Sequence, residues 1–339
     1  MANRRRLRPS QWAGLIVGGL AILLAGAWLV LRVPDIEVAT LRAKYGGPPS
    51  QFVEVLPGLT VHLRDEGPRD APVLVLLHGS DASLHTWQPW VDRLSGRFRI
   101  VRFDLPGHGL TGPDPKRDYS TAHYVAVVDA VARALQLQRF ALAGNSMGGG
   151  VAWRYAAAHP DTVSALILVD ASGAPYKGGD KIPLGFRLAR LPVVQDVVGG
   201  LLPRSLVASS LRGVVSNQAI VTPAMIDRYW ELLRYPGERS ATIDRLSLPY
   251  PQPAPDALQR LTMPTLILWG REDRVIPVAS TAWFQHGIPQ SRTIVYDHVG
   301  HLPMEEVPDR SAAEVAAFLT ATAASSARDS APSPRVLAG

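Results

Sequence analysis

Gly144-Asn145-Ser146-Met147-Gly148 sets a serine between two glycines, each two residues away. A serine hydroxyl is a weak nucleophile; it attacks a carbonyl when an imidazole takes its proton and a carboxylate orients that imidazole. Of the chain's nine histidines, His298 and His301 fall in a loop after a late apolar run at 293–296. His301, in Gly300-His301-Leu302-Pro303, opens the turn into the last helical pattern and is the preferred base. His298 reads as a packing or loop residue. For the acid, Gly270-Arg271-Glu272-Asp273 directly follows the apolar run 265–269. Asp273 is preferred, with Glu272 as a solvated surface charge. Asp170, at the end of the run 165–169, is the alternative acid. A serine, a base and an acid so arranged carry out acyl transfer through a covalent acyl-serine.

Such groups meet when strand ends bring them together. Short apolar runs at Val73–Leu77, Arg99–Phe103, 141–143, 165–169, 265–269 and 293–296 read as buried strands. Helical patterns such as 124–135 and 151–158 alternate with them, which argues an α/β class with a mostly parallel sheet covered on both faces. The serine lies in a sharp strand-to-helix turn, and the helix N-terminus behind it favours an oxyanion. All the candidate groups fall at carboxyl ends of strands, where open α/β sheets place their sites. From 171 to 256 the alternation stops. Helices there are interrupted by Pro183, Pro192, Pro203, Pro223 and Pro236, then by a proline-rich run, and the stretch reads as a helical lid. Its apolar stripe (Leu184, Leu188, Leu191, Val194, Val197, Val198, Leu201, Leu202) faces the sheet, a lipid-like substrate or the bilayer.

Residues 52–319 resemble the α/β-hydrolase superfamily, in its branch of serine hydrolases with a helical lid. The resemblance rests on His78-Gly79-Ser80, on Asp104-Leu105-Pro106-Gly107-His108-Gly109, on the Ser146 turn and on Gly300-His301, with the chain order Ser146, Asp273, His301. It implies an oxyanion hole from the backbone N–H groups of Ser80 and Met147. His78, Asp104 and His108 read as loop-holding residues. Gly107-His108-Gly109-Leu110-Thr111-Gly112 formally matches a dinucleotide fingerprint, but Pro106, Pro113 and Pro115 surround it and no helix opens there. Trp87 and Trp90 read as core, with an acyl pocket as the other reading. No cofactor is expected, and no metal, since no His/Asp/Glu cluster has ligand spacing.

The resemblance is specific for fold and triad and weak for substrate; the expected activity is that of a membrane-anchored serine hydrolase cleaving carboxylic esters through an acyl-enzyme. Carbon–carbon hydrolysis of ring-cleavage products or acyl transfer on the same triad are the alternatives. The elbow is similar to that of carbon–carbon hydrolases, though Leu302 stands where those enzymes commonly carry tryptophan. A non-catalytic, membrane-tethered binding protein is the alternative of another class.

Composition narrows the field. The chain has 339 residues, 47% of them hydrophobic and 19% charged, enough for a large core and incompatible with disorder. With no cysteine, disulfide scaffolds, thiolate zinc sites and cysteine nucleophiles are excluded. Arg4, Arg5, Arg6 and Arg8 supply +4 of the net charge of +6, leaving a body at +2 with no basic stripe for nucleic acid.

Residues 12–31 are 20 consecutive uncharged, mostly apolar residues, roughly the 30 Å of a bilayer core as a helix. The arginines before them predict a cytoplasmic N-terminus, residues 1–11, and an extracytoplasmic body. A cleaved secretory signal is the competing reading. Residues 32–50 read as a linker, 51–170 and 257–320 as the hydrolase core, 171–256 as the lid and 321–339 as a disordered tail. Expected partners are an ester or lipid-like small molecule and the membrane, with no nucleic acid.

Overall fold

The computed structural model describes residues 8–175, 200–249, 253 and 256–329. Eight strands form one sheet: β1 (Ser50–Leu56), β2 (Leu59–Glu66), β3 (Val73–Leu77), β4 (Arg99–Phe103), β5 (Phe140–Asn145), β6 (Val163–Val169), β7 (Thr265–Gly270) and β8 (Arg292–Tyr296). Their order is β1-β2-β4-β3-β5-β6-β7-β8. β2 pairs antiparallel with β1 and β4, and all pairings from β4 through β8 are parallel. Each apolar run lies within a strand. The β1–β2 hairpin carries no such run: Gln51, Glu54, His62 and Arg64 interrupt it at the sheet edge.

Successive strand side chains point to opposite faces, and here both faces are covered. Val75, Leu77, Leu142 and Trp269 belong to one core, while Leu74, Leu76, Ile167 and Leu268 belong to the other. That double burial makes the strands apolar throughout rather than alternating. Eleven described helices accompany the sheet: α1 (Pro9–Leu31), α2 (Val38–Tyr45), α3 (Gln88–Leu94), α4 (Thr121–Ala134), α5 (Met147–Ala158), α6 (Arg204–Val214), α7 (Pro223–Leu232), α8 (Glu238–Leu246), α9 (Thr281–Gly287), α10 (Pro303–Glu306) and α11 (Pro308–Asp329). The first core takes α4, α5 and α9, and the second takes α3, α11 and the inner faces of α6 and α7. Ser120 caps α4 by accepting the His123 N–H at 3.2 Å. Thr222 caps α7 by accepting the Met225 N–H at 3.2 Å, with Pro223 in the first turn.

Two boundaries differ from expectation. The linker 32–50 contains α2, because Leu41 finds a buried place against Leu110 and Leu232. The tail expected to be disordered over 321–339 is helical as far as Asp329, an alanine-rich continuation of α11. Between β6 and β7 the described residues form α6, α7 and α8. Leu184, Leu188, Leu191, Val194, Val197 and Val198 lie outside the described residues. Only some side chains of α1 are described. Among the described residues no helix is long and apolar enough to cross a membrane, and the span at 12–31 stays a reading of the sequence.

Candidate active site

Ser146 joins β5 to α5 at φ +53° and ψ −119°, a backbone region that side chains seldom occupy. The surroundings hold it there. Its N–H donates to the Val169 carbonyl at 3.0 Å, and its carbonyl accepts the N–H groups of Gly150 at 3.0 Å and Ser172 at 2.9 Å. A Cβ on Gly144 would lie 2.3 Å from the Gly148 carbonyl oxygen, and one on Gly148 would lie 2.4 Å from the His78 carbonyl oxygen. Both flanking glycines are therefore steric requirements of the turn.

His301 follows β8 and Asp273 follows β7, and the structure joins them. His301 Nδ1 lies 2.7 Å from Asp273 Oδ2. A carboxylate only accepts, so Nδ1 carries the proton and Nε2 is left as the basic nitrogen. Asp273 Oδ1 accepts the N–H groups of Val275 at 2.7 Å and Ile276 at 3.0 Å, which fixes the carboxylate. Of the two candidate acids, Asp273 and not Asp170 pairs with the histidine. Asp170 is fully buried and accepts the Gly270 N–H at 2.9 Å. Burial and the neighbouring Asp273 charge push its carboxyl well above the usual range. One donor atom each of Asp170, Asp273 and His301 lie within 4.8 Å of one another. That donor set invites a cation, yet the His301 nitrogen and the Asp273 oxygen already serve each other. Glu272 and His298 form a surface pair at 3.1 Å, with side chains 41% and 92% exposed.

Ser146 and His301 line one cavity of about 510 Å³, a size suited to a small-molecule ligand. Gly79, Ser80 and Asn145 also line it, and its apolar lining includes Leu202, Val207, Leu211, Val214 and Ile243. Ser80 Oγ lies 3.5 Å from Met147 Sδ, so the two residues assigned to the oxyanion hole stand side by side. The loop beyond Ser80 is tied to α8: Asp81, at φ +57°, accepts from Thr242 Oγ1 at 3.0 Å and Arg245 Nη2 at 2.6 Å.

Residues 72–308 match the family model for the alpha/beta hydrolase fold. The chain belongs to the α/β-hydrolase family. Relatives with named activities include several hydrolases, and the chain is a hydrolase enzyme. It is 26% identical over 267 residues to the pimeloyl-[acyl-carrier protein] methyl ester esterase of Nitrosomonas europaea, covering 74% of this chain and 96% of that one. It is 27% identical over 269 residues to the 2-hydroxymuconate semialdehyde hydrolase of a Pseudomonas species, covering 77% and 91%. Among solved structures it is similar to a membrane phospholipase A, a bacterial virulence factor, with TM-score 0.67, 28% identity and coverage of 91% and 99%.

Other motif residues of this α/β-hydrolase hold loops. His78 Nδ1 donates to the Gly79 carbonyl at 2.8 Å and Nε2 accepts the Leu105 N–H at 2.9 Å. Burial lowers its pKa, in keeping with a neutral ring. His108 is likewise buried and held well below the ordinary histidine range by that burial. Gly107, Gly109 and Gly112 all have positive φ, and a Cβ on Gly109 would lie 2.2 Å from Asp104 Oδ2; none opens a helix. Trp87 and Trp90 are fully buried in the core and do not line the cavity.

Two site residues escape the sequence reading. Asn145 Nδ2 donates to the carbonyls of Val169 at 3.2 Å and His301 at 3.1 Å, tying the serine turn to the histidine loop. Glu306 accepts the N–H groups of Gly300 at 2.9 Å and Leu302 at 3.4 Å on one oxygen, and those of Ser216 at 2.8 Å and Asn217 at 2.9 Å on the other. A polar residue inside the elbow and an acid five positions past the histidine were the available signals.

Proposed function

We propose that this chain is a membrane-anchored serine hydrolase that cleaves carboxylic esters with apolar acyl groups, using Ser146, His301 and Asp273. The observation that carries the reading is the 2.7 Å His301–Asp273 pair, whose imidazole shares a cavity with Ser146. His301 Nε2 takes the Ser146 proton as Oγ bonds to the ester carbonyl carbon. The N–H groups of Ser80 and Met147 receive the oxyanion; in such sites one lost donor costs about 10²–10³ in turnover. The carbon–oxygen bond to the alcohol then breaks, and the alcohol leaves with the proton from His301. Water, deprotonated by His301, releases the acid and restores Ser146. The apolar wall contributed by α6 and α8 supports a lid over an acyl chain.

Membrane attachment is supported by the 20 uncharged residues at 12–31, by the exposure of Leu15, Ile16, Val17, Ile22, Leu23 and Val30 along α1, and by the likeness to a membrane phospholipase A. We place the catalytic body on the extracytoplasmic side, from the arginine cluster ahead of the span.

The second reading is hydrolysis of a carbon–carbon bond in a ring-cleavage product, favoured by the Pseudomonas relative. Leu302 after His301 and the apolar wall weigh against it. The deciding experiment measures hydrolysis of p-nitrophenyl esters of graded acyl length, a vinylogous diketo acid, and labelling by a fluorophosphonate. Ester turnover and labelling, both lost in Ser146→Ala, are expected. Undiminished labelling of that variant overturns the serine assignment, and turnover of the diketo acid alone overturns the ester reading.

A further inference from the structure

Asp170 is the buried acid that the reaction above leaves unused. It directly follows β6, one strand from the β7 end that leads to Asp273, and no part of its surface reaches solvent. Its backbone has φ +45°, a left-handed conformation that persists in a residue with a side chain only where the surroundings impose it. Its N–H donates to the Leu268 carbonyl at 3.0 Å. Its Oδ1 accepts the N–H of Gly270, the residue from which the Asp273 loop departs, at 2.9 Å. Its Oδ2 is buried with no hydrogen-bond partner among the described residues.

An acceptor stands nearby, since a carboxyl oxygen of Asp170, one of Asp273 and a ring nitrogen of His301 cluster within 4.8 Å. Asp273 already accepts from Val275, Ile276 and His301. A carboxylate offers about four acceptor positions, which leaves room for one more donor. If Asp170 were ionised, two negative charges would share a space sealed from water, which such pairs avoid by retaining a proton. The other titratable groups facing Asp170 do not relieve this. Glu306 is saturated by backbone N–H groups, and the Tyr296 phenol, itself held protonated above its usual range by burial, brings no positive charge.

We propose that Asp170 is a positioning residue: a neutral carboxylic acid whose proton supports the Asp273 carboxylate, keeping the charge on the oxygens that orient His301. The raised affinity of Asp170 for its proton agrees with this arrangement. The inference rests on the reading of Asp273 and His301 as acid and base.

The test compares the full-length wild type with Asp170→Asn and Asp170→Ala, measuring the rate of fluorophosphonate labelling of Ser146 against pH. Asparagine keeps the shape, the acceptor for Gly270 and a donor toward Asp273, without charge. The Asn variant is therefore expected to label within about three-fold of wild type with an unmoved acid limb. The Ala variant is expected to fall about 10²-fold, the scale of a slightly misplaced catalytic group. An acid limb displaced to lower pH in Asp170→Asn, the sign of deleting a negative charge beside the imidazole, overturns the proposal. So does full reactivity in Asp170→Ala. Should the alanine protein fail to fold, the asparagine profile alone decides. Absence of Ser146 labelling in the wild type overturns the parent reading along with this one, whereas a labelled wild type with a displaced Asn profile overturns this one alone.

Discussion

Asp104 shows how a motif residue can support an active site without entering its chemistry. Its carboxylate is fully buried and accepts the N–H groups of Leu84 at 2.7 Å and Leu110 at 2.8 Å, with His62 Nδ1 at 2.6 Å. Burial alone would raise this carboxyl; the charge and hydrogen bond of His62 outweigh burial and hold it well below the ordinary carboxylate range. A depressed carboxyl contributes stability that is fully present above its unfolded value, about 3.9, and is lost as pH falls through the folded value. Asp104→Asn is therefore expected to cost about 3 kcal/mol near neutrality, the scale of a broken buried pair. The gap to wild type should close as the solution is acidified below about pH 4. Urea unfolding at a series of pH values checks this, and a gap constant with pH would remove the ionic explanation. Residues of this kind were only half legible. The order Ser146, Asp273, His301 and the strand before each could be read because local sequence sets them. His62 could not, because its partnership with Asp104 exists only once β2 lies beside β4.

Elements place the histidine as much as its own loop does. The His301 N–H donates to the Val214 carbonyl at 2.8 Å, at the end of α6. Glu306, only 6% exposed, spans the same seam with two N–H groups from the histidine loop and two from Ser216 and Asn217. The segment after α6 and the His301 loop are thus one hydrogen-bonded unit. Glu306→Ala leaves four N–H donors to find new partners, so a loss of about 2–3 kcal/mol is expected. Turnover of an activated ester should fall with a smaller change in KM, since the base is displaced while the acyl wall remains. Denaturant unfolding and steady-state kinetics on one preparation check both halves, and unchanged turnover in a destabilised protein would confine Glu306 to a structural role. The apolar runs gave away six of the eight strands because burial on both faces removes polar residues. The β1–β2 hairpin and α2 were illegible for other reasons: polar residues interrupt both strands although β2 is largely buried, α2 buries only Leu41, and pairing or that one leucine, not local pattern, decides the form.

At the scale of the molecule, the chain leaving α1 is fastened to the region around the cavity. The Val33 N–H donates to the Gly200 carbonyl at 2.8 Å, and the Ile36 N–H to the Arg234 carbonyl at 2.8 Å. Arg239, which lines the cavity, donates to the Val33 carbonyl at 2.8 Å and to Asp35 at 2.5 Å. A membrane helix would thus hold the cavity close to the bilayer surface. In the membrane-anchored reading, residues 12–31 bring ten Leu, Ile and Val side chains, each worth roughly −0.3 to −0.6 kcal/mol at a helix centre. Against them stands no charged side chain within the segment. The full chain is therefore expected to sediment with membranes, to resist high salt and alkaline washing, and to be released by detergent at its full mass. Protease added outside intact cells should reach the body, with the N-terminal arginines protected. Recovery from the medium at a mass reduced by the first thirty or so residues would mean that the segment is a cleaved signal, and elution by salt alone would mean that it lies on the surface without spanning.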